Sequence, residues 1–362
     1  MSKGQRINHS LDVKLLGVGS ATPMKAFTQQ DVLNLMEVQN EKIQSIYLNN
    51  YIERRYLSFP QEYHKINRET ETQGDLISKH KTEGILIGSQ AINNCLKNIN
   101  ADLDEIRFLC CVTSTGMLVP GFSALLCNQL GLNQSCSRLD IVGMGCNAGL
   151  NGLNATANWA KSNPGQLAIV LCVEVCSAAY IVDDSIEVSV VNSLFGDGAA
   201  AAGLSYSPDS RNIDDSCPSI VSFSSKIITE AIDAMRFQWD GDKNRLSFLL
   251  ERDVPYLIGA HVRSAVADLI DSHKIRKSQI SQWIVHSGGK KVIDALRVNI
   301  GLSAYDLRHT LSVLRDYGNV SSGSFLLSYE KLALEKCVTQ GDFGIMITMG
   351  PGATIETALL RW

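Results

Sequence analysis

Short apolar runs of strand length alternate with helical patterns along most of the chain. The predicted strands of the first half occupy residues 12–17, 106–113, 139–144 and 167–173. Between the last two, apolar side chains recur at helical spacing through 147–161, and Asn163-Pro164-Gly165 ends that helix. Strands that alternate with helices in this way are typical of an α/β fold with a largely parallel sheet.

The second half of the chain repeats this arrangement. Its predicted elements are a strand at 281–286, helices at 290–299 and 322–335, and a buried strand at 343–348. The stretch 205–218 is polar and rich in turn-forming residues. We therefore expect two related α/β halves, 1–204 and 219–362, joined by a surface connection.

Composition and charge narrow the class of protein. A chain of 362 residues with 45% hydrophobic side chains suits one large two-part domain or two fused domains. Its net charge of −4 gives no field that would attract nucleic acid. The N-terminus does not resemble a signal peptide, and no uncharged run approaches the roughly 18 residues of a membrane span. We expect a cytoplasmic protein that binds neither nucleic acid nor a membrane.

The chain has ten cysteines. In a long chain without a secretory signal, we expect them to be reduced core residues and not a disulfide framework. Cys110, Cys111, Cys127 and Cys172 lie in apolar runs. No pair has the spacing Cys-x-x-Cys, and Cys172 and Cys176 have no His or Asp beside them. These spacings predict no metal site.

One cysteine stands at a position suited to nucleophilic chemistry. Cys146 lies between the predicted strand at 139–144 and the helix that follows, with Gly143, Gly145 and Gly149 around it. These glycines allow a tight, exposed turn. The first turn of a helix also lowers the pKa of a thiol through its unpaired N–H groups and the positive end of its dipole. Cys146 is therefore a candidate nucleophile, and the alternative is a buried core cysteine.

Two later residues are candidate partners for that thiol. His286 ends a predicted strand, so its ring should project from the carboxyl edge of the sheet, where open α/β folds place their sites. Asn319 precedes the helix that opens with 320–322. Taken alone, His286 is also consistent with a structural histidine and Asn319 with a helix N-cap. Their wide separation from Cys146 suits three loops that converge at one edge of a sheet.

Five motifs between Gly145 and Thr357, taken together, favour the catalytic over the structural interpretation of these three residues. They are the segments 145–146 with the glycine-rich helix after it, 194–200, 283–289, 317–322 and 350–357. In order and spacing they resemble the type III polyketide synthases of the chalcone synthase superfamily. Milder similarity at 113–116 and 119–121 extends the resemblance over most of the chain.

The resemblance implies a fold, an assembly and a set of catalytic roles. The fold would be the thiolase type, a five-layered αβαβα sandwich of two related halves, in a homodimer. Cys146 would hold the starter and the growing chain. His286 and Asn319 would donate hydrogen bonds to the enolate oxygen that forms when malonyl-CoA loses carbon dioxide. Coenzyme A thioesters would be the substrates, with no further cofactor.

The resemblance also implies substrate-binding residues. Phe195 resembles the family's gate phenylalanine between the coenzyme A tunnel and the cavity, with a plain core aromatic as the alternative. The further positions taken to contact substrate are Ser114, Thr115, Cys176, Ala179, Ser321, Gly350, Pro351 and Gly352. Small residues at 176–179 replace the threonines of the plant enzymes, which disfavours a bulky aromatic starter. The basic residues of 41–56 are only Lys42, Arg54 and Arg55, so we assign no phosphate contacts and regard these charges as solvated.

The segments 172–180, 231–236, 285–291 and 314–319 look like a bacterial subgroup of this family that forms 3,5-dihydroxyphenylacetyl-CoA. The likeness implies that malonyl-CoA is both starter and extender, and that a helper enzyme of the enoyl-CoA hydratase type is a possible partner. A type III synthase with a different acyl-CoA starter remains an alternative.

Three related classes fit the sequence less well. A ketoacyl-carrier-protein synthase of the third type shares the Cys, His and Asn, but the segment 320–323 and the lack of a second Asn-led motif before His286 argue against it. A catalytically silent partner subunit would lack the nucleophile. A thiolase would carry a second active-site cysteine near the C-terminus, and Cys337 lies outside 348–352.

Overall fold

A computed structural model describes residues 11–59, 71–180, 185–208, 217–242 and 244–362. The strands are β1 Val13–Ala21, β2 Ala26–Thr28, β3 Arg54–Tyr56, β4 Ile106–Thr113, β5 Ser137–Val142, β6 Leu167–Glu174, β7 Gly198–Ser205, β8 Ser219–Ile227, β9 Met235–Asp240, β10 Arg245–Leu250, β11 Ile280–Val285, β12 Phe343–Gly350 and β13 Thr354–Arg361. The helices are α1 Gln29–Leu35, α2 Glu41–Leu48, α3 Gln73–Ile99, α4 Phe122–Leu130, α5 Ala148–Ser162, α6 Ile186–Leu194, α7 Val254–Asp271, α8 Lys290–Ile300, α9 Arg308–Tyr317 and α10 Ser324–Glu335. Residues 1–10 and most of the predicted connection, 209–216, lie outside the described residues.

Within the described ranges, nine strands form one mixed sheet in the order β11-β12-β13-β8-β1-β7-β6-β4-β5. The strands of each half of the chain are contiguous in this order. From β4 through β6 and β7 to β1, neighbours run parallel, antiparallel and antiparallel, and the same sequence of directions holds from β11 to β8. The halves meet at β1 and β8 through two residue pairs, Val13↔Ile220 and Lys14↔Ser219. Each half thus has the same local topology.

Helices cover both faces of each half of the sheet. The outer faces carry α3 and α4 on the first half and α7 and α8 on the second, while α5 and α10 fill the space between the halves. In β6, Val170 faces this central core and Ile169 and Leu171 face the outer core. A strand buried on both faces needs apolar residues at every position, which explains the continuous apolar runs of the sequence. The expected five-layered αβαβα sandwich is confirmed.

The expectation of a largely parallel sheet is wrong, because five of the eight neighbouring strand pairs are antiparallel. The predicted strands and helices are present, but some of their bounds differ, and β1 runs to Ala21 and not to 17. β4 coincides with the strand predicted at 106–113. β5 ends at Val142 and not at 144 because Gly143 turns the chain with a φ of 85°. α10 begins at Ser324 and not at 322 because a 3₁₀ turn, Ser321–Gly323, precedes it.

The ten cysteines are free thiols, and Cys110, Cys111 and Cys172 are buried in the cores as expected. Across the part of the chain that the structure describes, no group of three or more His, Cys, Asp or Glu side chains is placed to hold a metal ion. Among the same residues, no helix has both the length and the apolarity needed to cross a bilayer.

Candidate active site

Cys146 lies in a 3₁₀ turn, Gly145–Asn147, that connects β5 to α5. Gly145 has a φ of 74°, and a Cβ there would lie 2.2 Å from Pro351 Cδ, so the turn needs glycine to pass under the loop after β12. Cys146 is 8% exposed. The expected strand-to-helix turn is present and is exposed at Gly143 and Met144, whereas Gly145, Cys146 and Asn147 are buried.

Burial controls the ionisation of the Cys146 thiol. Desolvation raises its pKa to about 12, although the Ser321 hydroxyl, 3.4 Å from Sγ, and the Asn319 amide act in the opposite direction. The buried carboxyl group of Glu174 raises it further. The expectation of a low thiol pKa from the helix start alone is therefore wrong for the free chain, since desolvation outweighs the dipole.

His286 and Asn319 are held by backbone contacts that fix their positions. The His286 N–H donates to Ile347 O on β12 at 2.9 Å, which continues the β11–β12 pairing past the end of the strand. Its ring is buried, Nδ1 has no hydrogen-bond partner among the described residues, and burial lowers its pKa to about 3. His286 is therefore neutral at physiological pH and has an unused ring nitrogen.

The Asn319 side chain is used at both ends. Its Oδ1 accepts from the Ser321 N–H at 2.8 Å and its Nδ2 donates to Gly288 O at 3.3 Å. Asn319 is not the N-cap that the structural interpretation predicts, because Val320 precedes the 3₁₀ turn and Gly323 precedes α10. The first bond instead closes a local turn from Asn319 to Ser321, and the second ties Asn319 to the segment after His286.

Cys146, His286 and Asn319 line one cavity of about 640 Å³, which we call the His286 cavity. Three loops bring them together, the turn before α5, the end of β11 and the turn before α10. The charged residues that line the same cavity are Glu187, Glu251, Arg252, Lys290 and Lys291. The sequence did not predict that these five charged residues line a cavity. Lys290 and Lys291 belong to the segment 285–291 without an assigned role, and the other three belong to no motif.

A second cavity of about 400 Å³ lies on the other side of Cys146, and we call it the Arg236 cavity. Of the nine expected substrate-binding residues, eight line it: Ser114, Thr115, Cys176, Ala179, Phe195, Ser321, Pro351 and Gly352. Gly350 does not line either cavity. It packs against the backbone of the nucleophile turn, where a Cβ would lie 2.9 Å from the Cys146 nitrogen.

Four residues line both cavities: Cys146, Phe195, Met235 and Phe248. The Phe195 and Phe248 rings have centroids 5.8 Å apart and planes at 85°. Phe195 reaches this place through a parallel bridge to Asn319, in which the Asn319 N–H donates to Leu194 O at 2.8 Å. Phe248 comes from the β9–β10 hairpin and was not expected from the sequence, where no periodic signal connects it to position 195.

Arg55 supports Phe195 through a hydrogen bond to its backbone carbonyl group. The side chain is fully buried, and Nη1 donates to Phe195 O at 2.7 Å and to the Tyr180 hydroxyl at 2.7 Å, while Nη2 donates to Gln29 at 2.8 Å. The expectation of a solvated charge is therefore wrong at Arg55. Its guanidinium group donates to carbonyl groups that strand pairing leaves free. Arg54, by contrast, is half-exposed and lies 3.7 Å from Asp316.

A buried carboxyl group connects the loops behind Cys146. Glu174, at the end of β6, accepts from the Ser114 N–H at 2.9 Å and from the hydroxyl and N–H of Ser322. Burial raises its pKa, and these donors lower it. Glu174 thereby fixes the wall of the Arg236 cavity to the turn before α10, a role that the apolar sequence around it did not indicate.

The chain matches the chalcone and stilbene synthases over nearly its whole length, the N-terminal domain of that family at residues 3–208 and the C-terminal domain at residues 226–362. It is 52% identical over 350 residues to the 3,5-dihydroxyphenylacetyl-CoA synthase of Streptomyces toyocaensis, covering 96% of this chain and 90% of the relative. It is 51% identical over 349 residues to the protein of that name from Amycolatopsis balhimycina, covering 96% of this chain and 93% of the relative.

The fold agrees with a solved structure of the same class. The C-terminal type III polyketide synthase domain of Steely1 from Dictyostelium superimposes with a TM-score of 0.88 at 26% identity, over 97% of this chain and 99% of that domain. The family resemblance drawn from the motifs is therefore confirmed. This chain belongs to the chalcone and stilbene synthase family and is a type III polyketide synthase, an acyltransferase.

Proposed function

We propose that this enzyme condenses malonyl-CoA units by decarboxylative Claisen chemistry and forms 3,5-dihydroxyphenylacetyl-CoA. The observation that carries the proposal is the meeting of Cys146, His286 and Asn319 in one cavity that adjoins a second, apolar one. The names of the relatives that are about half identical to this chain support the product.

Decarboxylation is assigned to the His286 cavity. Loss of carbon dioxide from a malonyl thioester leaves an enolate, and its negative oxygen is stabilised by donors that are already in place. A neutral imidazole and the Asn319 amide are such donors, and both are buried, so water does not compete for the enolate oxygen. Phe195 and Phe248 add an apolar surface that favours loss of the charged carboxylate.

Acyl transfer is assigned to Cys146. Its raised pKa and the lowered pKa of His286 each describe one group ionised alone in a desolvated site. A thiolate beside an imidazolium has no net charge, so mutual attraction offsets much of this desolvation. His286 can thus take the thiol proton when an acyl-CoA arrives, and the thiolate attacks its carbonyl carbon.

Coenzyme A is assigned to the open side of the His286 cavity. Lys290 and Lys291 open α8 at its rim and Arg252 begins the turn before α7. Arg252 Nη2 lies 3.3 Å from Glu187 Oε1 and Lys290 pairs with Asp294, so among the described residues Lys291 is the one of the three cations without a carboxylate partner. Phosphate oxygens are the natural partners of these cations. No other cofactor is part of the proposal.

Chain growth and ring closure are assigned to the Arg236 cavity. Cys176 and Ala179 keep its wall small, which suits a malonyl-derived starter better than a bulky aromatic one. Each condensation breaks the thioester to Cys146 and leaves the extended chain on coenzyme A, and transfer back to Cys146 prepares the next one. Three condensations of four malonyl units thus give a linear tetraketide that is a coenzyme A thioester. Carbon–carbon closure and loss of water then give the aromatic ring with the coenzyme A thioester retained. The subgroup likeness supports a helper enzyme of the enoyl-CoA hydratase type at this stage.

A homodimer across β5 completes the proposal. β5 is an edge strand of the sheet, and Leu139 and Val142 on it are 37% and 43% exposed. Met117 and Val119 stand on the loop after the neighbouring strand β4 and are 74% and 93% exposed. An apolar edge of this kind is a pairing surface unless it is covered, and a second copy of the chain covers it by symmetry.

The test is the product mixture from malonyl-CoA alone. Purified enzyme, incubated with malonyl-CoA and then hydrolysed with alkali, should yield 3,5-dihydroxyphenylacetic acid by mass spectrometry. A mixture that stays inert until a long-chain or aromatic acyl-CoA is added contradicts the malonyl starter and leaves the family membership intact.

A further inference from the structure

We infer that Arg236 binds the 1,3-diketone oxygens of the polyketide chain and sets the fold from which the ring closes. The inference rests on the proposed function and adds to it a residue that determines product specificity. Its ligand class is a β-dicarbonyl in keto or enol form, bound before any bond of the ring is made.

Arg236 is unusual in its surroundings. Among the described residues that line the Arg236 cavity, it is the single charged one, and most of the others are apolar or small. The surface of the cavity is thus mainly nonpolar, with a guanidinium group at one wall. A hydrogen bond from a charged donor is stronger than one between neutral groups.

The guanidinium group of Arg236 has N–H donors that no described contact uses. Nη1 donates to Asp233 O, and the nearest carboxylate oxygen, Glu251 Oε1, lies 3.8 Å away on a side chain that is 58% exposed. Arginine carries five N–H donors in a planar fork. Of the contacts that the structure describes, these two leave most of the fork unused, and Arg236 itself remains 39% exposed.

The geometry of a polyketide chain matches this fork. Each two-carbon extension places ketone oxygens on alternate carbons, so neighbouring carbonyl groups form a 1,3-pair that can accept two parallel N–H bonds. Guanidinium recognises such paired acceptors in the way it recognises a carboxylate, whereas an ammonium group acts as a point charge. Ring closure joins one particular carbon to one particular carbonyl, so fixing one oxygen pair selects that closure over the alternatives.

Arg236 is also separated from the decarboxylation groups. It lines its own cavity and not the His286 cavity, while His286 and Asn319 line the His286 cavity and not this one. Phe195, Phe248 and Met235 line both cavities, and Glu251, 3.8 Å from Arg236 Nη1, lines the His286 cavity. Loss of the guanidinium group should therefore change which products form and leave release of carbon dioxide from malonyl-CoA intact.

The experiment compares three variants with wild type on malonyl-CoA. Arg236→Met keeps an unbranched apolar stem without the fork, and Arg236→Lys keeps the charge. The matched control is Arg263→Met, at an exposed position on α7. Carbon dioxide release is measured in parallel with the full product profile, and thermal melting checks that each variant is folded.

Arg236→Met should release carbon dioxide within about twofold of wild type and lose about tenfold or more of the aromatic share of its products, as expected when a charge-assisted contact is removed. Lactones and hydrolysed shorter chains should replace that share. Arg236→Lys should fall between, and Arg263→Met should match wild type.

Two results would overturn the inference. One is an unchanged aromatic share in Arg236→Met, and the other is a parallel loss of carbon dioxide release and product, which would place Arg236 in folding or decarboxylation. Failure of the proposed function looks different, because the wild type itself would then make no aromatic product from malonyl-CoA.

Discussion

The two cavities that meet at Cys146 differ in what they offer a substrate. The His286 cavity holds a buried neutral imidazole, an amide and several charges at its rim, whereas the Arg236 cavity is mainly apolar with one guanidinium group. The first suits a step in which charge appears on a small fragment and the carrier is highly charged. The second suits a long neutral chain that must be folded.

The difference shows how one thiol can serve two unlike steps. Cys146 lines both cavities, and the other residues that they share, Phe195, Met235 and Phe248, are apolar. Polar groups in one cavity can therefore be changed with limited effect on the other. The following experiments test that separation, from the largest expected effect to the smallest.

Removing the Cys146 thiol, which lines both cavities, should abolish condensation and spare the decarboxylation of malonyl-CoA. Cys146→Ala should lower condensation by roughly a thousandfold or more, as for the loss of a nucleophile in other enzymes. Release of carbon dioxide should persist because His286 and Asn319 remain. Mass spectrometry of products and a carbon dioxide assay measure the two, with the exposed Cys337→Ala as control. Full condensation in Cys146→Ala would remove this residue from the mechanism.

Removing a hydrogen-bond donor from the His286 cavity should slow the decarboxylation of malonyl-CoA. His286→Ala and Asn319→Ala should each lower release of carbon dioxide by about 100-fold, the size expected for the loss of one preorganised donor. The KM for malonyl-CoA should change little. The half-buried His261→Ala on α7 is the control. If both variants release carbon dioxide at the wild-type rate, the donors lie elsewhere.

Buried neutral histidines beside both cavities should make stability depend on pH. His80 lies behind Thr115 of the Arg236 cavity, with Nδ1 3.3 Å from its hydroxyl, and burial lowers its pKa to about 4. The folded protein keeps this ring neutral, while the unfolded chain takes up a proton below its ordinary pKa of 6.5. Its contribution to stability is therefore present above pH 6.5 and is lost as pH falls towards 4.

The slope for one such histidine is about 1.4 kcal/mol per pH unit. Urea unfolding of His80→Gln at pH 7.5, 6 and 5 should thus show a shallower loss of stability than wild type. His286 adds a similar dependence, with a pKa lowered to about 3, and is retained in the variant. Equal slopes in wild type and His80→Gln would mean that His80 is charged or solvated in the folded state.

Neutralising the rim of the His286 cavity should have the smallest effect. The double variant Lys290→Gln/Lys291→Gln should raise the KM for malonyl-CoA by roughly three- to tenfold, less at high salt, because exposed charges are screened. Malonyl-N-acetylcysteamine, which has no phosphate, should be unaffected. The matched control is Lys81→Gln/Lys97→Gln on the exposed side of α3. An equal rise for both thioesters would point to a distorted cavity.

The sequence by itself determined the alternation of strands and helices, the two related halves and the motifs that carry Cys146, His286 and Asn319. These features are local, since a strand buried on both faces or a helix start leaves its mark within a few residues. The boundaries that it missed, at Gly143 and at Ser321–Gly323, are turns whose dihedral angles apolar patterns do not encode.

Only the tertiary structure decided how these residues behave. Burial reversed the expected direction of the Cys146 pKa and made His286 neutral, because desolvation depends on atoms from distant segments. Arg55 was expected to be a solvated charge and is a buried support of Phe195, whereas Arg236, to which the sequence assigned no role, lines a cavity. Two arginines with the same chemistry thus take different roles, because position in the packed chain sets which acceptors each can reach.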